Sequence, residues 1–75
     1  MITGKQVRAA RELLGWSQMT LALEANIEQS TVAKFERGES RPSVLTVSTI
    51  KRSLEGAGVE FPEGEPTVSL RKGRP

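Results

Sequence analysis

Seventy-five residues with a hydrophobic share of 36% make one small domain near the lower size limit for a core that folds unaided, a limit a second copy commonly helps to meet. Cysteine, histidine, aspartate and tyrosine are all absent, which excludes a disulfide framework and a thiolate zinc site and removes the usual general bases, so no enzyme, metal or cofactor is expected. The formal charge of +2 is uneven, with eight Lys/Arg against five Glu up to Leu54, four Glu and no base from Glu55 to Pro66, and three bases in the last five residues, as suits a mildly basic docking face beside an acidic patch.

The first element is announced by Thr3 and Gln6, a capping-box spacing that starts a helix. Val7, Ala10 and Leu14 fall at helical spacing behind it, with Leu13 widening the apolar stripe, and Gly15 ends the helix before Trp16. Ser17 caps a second helix from Gln18 to Ala25 whose inward residues are Leu21, Ala22 and Ala25. Asn26 tolerates the left-handed backbone that a sharp corner needs, and Ile27 plugs that corner. A third helix then runs from Gln29 to Glu36 and stops at Gly38. Val32 and Phe35 face inward, which leaves Gln29, Ser30, Ala33 and Lys34 outward.

Pro42 and Ser43 open a fourth helix carrying Val47, Ile50 and Leu54, closed by Gly56-Ala57-Gly58. The tail changes character. Val59-Glu60-Phe61 and Thr67-Val68-Ser69-Leu70 alternate around a proline-bounded loop, Pro62 to Pro66, and read as a short hairpin. Such a hairpin has to pack on the helices or on another subunit, and a loosely ordered tail is the alternative. No apolar run approaches the roughly 18 residues that cross a bilayer, and the start MITGKQVRAAR holds no apolar signal core, so a cytoplasmic protein without membrane contact is expected. No Gly-rich phosphate loop or Gly-x-Ser-x-Gly elbow occurs.

The second and third helices form a compact pair able to lay one helix in a DNA major groove. Small Ala22 and Ala25 let the two approach closely, and a bulky residue at Ala22 would force them apart. Gln29, early in the third helix, has an amide that both donates and accepts, matching adenine in the groove. Ser30 can bond several bases, Lys34 reaches guanine or a phosphate, and Ala33 fits a thymine methyl. Ser17 can donate to a phosphate as well as cap, and Arg37 and Arg41 flank the outward helix as backbone clamps, with Lys5 and Arg8 as further candidates. Trp16, Phe35 and Phe61 form no stacking platform for single-stranded nucleic acid.

In order and spacing, Gln18, Leu21-Ala22, Ala25, Asn26-Ile27, Thr31-Val32, Phe35-Glu36, Gly38 and Pro42 resemble the Cro/phage-repressor type of helix-turn-helix proteins, the XRE family, over about Thr3 to Leu54. The resemblance implies a mainly α fold of four to five helices with a short C-terminal β-hairpin. With the change of character after Gly58, the chain divides into a helix-turn-helix unit, residues 1–58, and a hairpin or tail, residues 59–75, suited to dimerisation and ending in a disordered basic segment; the resemblance itself fixes little beyond Gly56. It adds Thr31 to the DNA-contacting set, has Gln18 bond the DNA backbone and brace the recognition helix, and makes Arg11 and Glu36 a structural ion pair. Two positions depart from the pattern. Glu28 replaces the Ser or Thr cap of the recognition helix, where it favours the helix dipole but repels phosphates, and Asn26 replaces a glycine; Glu39 adds a second nearby acid.

The function so implied is a small homodimeric transcription regulator, a repressor on a palindromic double-stranded DNA operator. Two half-sites about one DNA turn apart supply the specificity that one short helix lacks. The alternative is a protein-binding regulator on the same scaffold, an antitoxin or anti-activator that sequesters another protein such as a transcription factor, motivated by Glu28 and the acidic loop.

Overall fold

The computed structural model describes residues 2–62 and 67–71. Among them, four helices, α1 (Gly4–Leu14), α2 (Gln18–Ala25), α3 (Gln29–Glu36) and α4 (Val44–Gly56), precede two short strands, β1 (Val59–Glu60) and β2 (Ser69–Leu70).

Helix bounds follow local chemistry. Thr3 Oγ1 accepts from the Gln6 amide at 3.2 Å while Gln6 Oε1 accepts from the Thr3 amide at 2.8 Å, completing the capping box of α1. Ser17 and Ser43 accept from the amides of Thr20 and Thr46 at 3.0 and 3.1 Å and so cap α2 and α4. One device ends the first three helices: Gly15, Asn26 and Gly38 all take positive φ. The amide after each reaches back five residues, Trp16 to Arg11, Ile27 to Ala22 and Glu39 to Lys34, each at 2.9 Å. These bonds satisfy carbonyls that a helix end leaves bare. Asn26 manages this with φ 57 because its side chain is short and polar.

The core gathers Val7 and Ala10 of α1, Leu21, Ala22 and Ala25 of α2, Val32 and Phe35 of α3, and Val47, Ile50 and Leu54 of α4. Ile2 and Val59 complete it from the two ends of the chain, and Leu14, Trp16, Ile27, Phe61 and Val68 pack against its rim. Leu13 departs from the expected stripe. It lies one turn-third away from the Val7–Ala10–Leu14 line and remains 43% exposed, bordering a groove with Ala9, Glu12, Thr67 and Val68.

The strands pair antiparallel, Val59 with Leu70 and Glu60 with Ser69. Arg71 clasps the pair, its amide donating to the Gly58 carbonyl at 2.6 Å and its Nη2 to the Glu55 carbonyl at 3.0 Å. Val59 is 1% exposed, so the pair docks on the helices as an isolated hairpin must. The expectations for the acidic loop and the basic end fall on residues 63–66 and 72–75, outside the described residues. Among those described, no helix is long and apolar enough to cross a membrane.

Candidate nucleic-acid interface

Helix α3 is held by its inner face and bare on its outer one. Val32 is fully buried and Phe35 9% exposed, three residues apart on one side. Gln29, Ser30 and Lys34 are exposed, and Ala33 is half-buried between them. Thr31 lies round towards Phe35, half-buried, so it borders the outward face without standing on it. Gln29 is the first residue of the helix, at the end where backbone amides lack intrahelical partners. Arg41 lies exposed in the loop between α3 and α4.

The helix is fixed at its other end by Glu36, whose side chain is 3% exposed. Arg11 Nε and Nη2 donate to the two carboxylate oxygens at 2.8 and 2.9 Å. Gln18 Nε2 adds a third bond to Oε1 at 3.1 Å. Arg11 Nη1 also donates to the Trp16 carbonyl at 2.8 Å, so one guanidinium ties α1, the α1–α2 corner and α3 together. Burial by itself pushes the Glu36 carboxyl upward. The hydrogen bonds from Arg11 and Gln18, with the charges of Arg11 and Arg8, outweigh it and hold the group below its ordinary value.

The amide of Gln18 is thus turned inward to Glu36, bracing α3 from the start of α2. Ser17 Oγ serves as cap and lies 3.0 Å from Thr20 Oγ1, within hydroxyl–hydroxyl bonding distance. Arg8, Arg11, Glu12, Gln18, Glu36 and Arg37 surround a cleft of about 280 Å³ where α1, α2 and α3 meet. Its cations are matched: Arg8 pairs with Glu12 at 3.2 Å, Arg11 with Glu36, and Arg37 with Glu39 at 2.7 Å.

Two features escaped sequence reading. Gly4 sits so close to the end of α3 that a Cβ there would collide with the Phe35 carbonyl and lie 3.0 Å from Glu36 Cα. Its position at a helix start, where glycine has no special merit, was the available hint. The pairing of Glu39 with Arg37 needs the turn at Gly38, which spacing alone does not reveal. Glu28, which the sequence marked as standing in place of a Ser or Thr cap, makes no side-chain cap bond, so α3 begins without the hydroxyl cap that α2 and α4 possess.

A family model described as helix-turn-helix matches residues 7–55. The crystal structure of the restriction-modification controller protein C.AhdI from Aeromonas hydrophila is similar to this chain with a TM-score of 0.67 and 31% identity, covering 69% of this chain and 79% of that one. No curated protein matches it significantly.

Proposed function

The chain belongs to the XRE-type helix-turn-helix family of DNA-binding regulators, and from that premise we propose that it binds a palindromic double-stranded DNA operator as a homodimer and represses transcription there. The observation that carries the reading is the presentation of α3: two apolar anchors and a buried carboxylate fix its inner side, and Gln29, Ser30 and Lys34 stand exposed on the other. Gln29 reads adenine through its paired donor and acceptor, Ser30 and Lys34 contact neighbouring base edges, and Ala33 meets a thymine methyl. Thr31, Ser17, Gln18, Arg37 and Arg41 contribute backbone contacts, with the amides at the start of α2 supplying partial positive charge to a phosphate.

Dimerisation supplies the second half-site. Val44 and Leu45, 72% and 78% exposed on the first turn of α4, are the aliphatic side chains that a partner copy would cover. The likeness to a restriction-modification controller protein supports a regulatory role.

Selection of bound sequences from a random duplex pool tests the reading. A palindrome with half-sites about one turn apart is expected. Failure to retain any duplex even at low salt, together with a co-purifying protein, would instead favour a sequestering regulator on this scaffold.

A further inference from the structure

We propose that Glu39 sets the strength of the DNA contact by occupying the fork of Arg37 that a phosphate would otherwise take. The proposal rests on the DNA-binding reading above and assigns it an affinity-setting residue. Arg37 Nε donates to Glu39 Oε2 at 2.7 Å and Nη2 to Oε1 at 2.9 Å. This is the bidentate geometry with which a guanidinium also clasps a phosphate, so the two acceptors compete for the same pair of donors.

The turn at Gly38 builds the competition in. With φ 75 there, the Glu39 amide returns to the Lys34 carbonyl and the carboxylate lands beside the side chain two residues before it. No distant part of the fold is required, and Arg37 and Glu39 are each 54% exposed, open to solvent ions and to DNA alike. Charge in the adjoining cleft points the same way. Arg8 and Arg11 are matched there by Glu12 and Glu36, whereas the partner of Arg37 is not among the residues that line it. An anion entering that cleft therefore finds its surplus positive charge on Arg37, and gains it only by displacing Glu39.

Counterions provide the readout. In the native chain, a phosphate must displace Glu39 to take Arg37, so the contact forms in only part of the complexes and the cation release from DNA is partial. In Glu39→Gln the release is complete, and each such contact steepens log affinity against log salt by up to about 0.9. The experiment measures binding of the full chain to a mixed-sequence duplex of about two helical turns, across a salt series. It compares the native protein, Glu39→Gln, Arg37→Ala and the double variant, with melting curves to confirm that each is folded.

Glu39→Gln is expected to tighten binding about three- to fivefold more in the presence of Arg37 than in the Arg37→Ala background, the upper range for an exposed pair. The salt slope should steepen only where Arg37 is retained. Equal gains in both backgrounds would show that Glu39 merely repels phosphate, and no gain would show that the pair does not compete; either overturns the proposal while leaving DNA binding intact. Loss of duplex binding by all four proteins at low salt would overturn the DNA-binding reading itself, and the proposal with it.

Discussion

At Glu36 a nearly inaccessible carboxylate takes bonds from α1 through Arg11 and from α2 through Gln18, so one side chain transmits the position of two helices to the third. Removing the cation leaves a buried charge with Gln18 as its remaining side-chain donor. Arg11→Ala should therefore cost about 2–4 kcal/mol at pH 7, seen in urea denaturation, and lower the melting temperature at least as much as it weakens DNA binding. The sign of its pH dependence follows from the lowered Glu36 value. The stabilisation is complete above the ordinary carboxylate value of 4.5 and is lost as pH falls through the lower folded value. The gap between native and Arg11→Ala proteins should thus shrink below that pH, and a gap undiminished at the acid end would contradict the assignment. This ion pair was legible only through family resemblance, because nothing in the local spacing of Arg11 and Glu36 brings them together. The pair of Arg37 and Glu39 was not legible at all, since it depends on a left-handed turn between two charges that look like ordinary solvated residues.

Helix boundaries were read almost without error, while the strands proved shorter than the alternation suggested, and the reason is physical. Thr3, Ser17 and Ser43 cap by side-chain bonds spanning three residues, and Gly15, Asn26 and Gly38 stop helices by their own backbone preference, so the information is local. Leu13 and Gly4 were misjudged or overlooked because burial and close approach depend on what another element places opposite them. The weakest boundary is the entry to α3. Glu28 gains from the helix dipole but makes no cap bond. Glu28→Ser should add that bond and raise stability by a net of about 0.5–1 kcal/mol. A shifted denaturation midpoint at unchanged slope would show it, and an unchanged or lower midpoint would speak against an uncapped start.

For the whole molecule, a helical core clasped by Val59 and the strand pair holds α3 outward, and the first turn of α4 leaves Val44 and Leu45 exposed, the surface proposed for the dimer. Leu45 is 78% exposed and is not one of the proposed DNA-reading residues, so Leu45→Glu should leave the fold intact while producing a monomer by sedimentation and weakening binding to the paired half-sites far more than to one. Unaltered self-association would move the dimer contact elsewhere. The mainly α architecture was legible in composition and periodicity, whereas the exposure of Val44 and Leu45 was not, since an exposed leucine in a sequence looks the same as a buried one. The central claim is that the outward face of α3 reads bases from Gln29. Its most direct measurement is the affinity of native and Gln29→Ala proteins for the selected duplex and for its single-base variants. The account predicts a loss of about 1–3 kcal/mol with preference relaxed at one position per half-site and melting unchanged; unaltered affinity and unaltered preference at every position would contradict it.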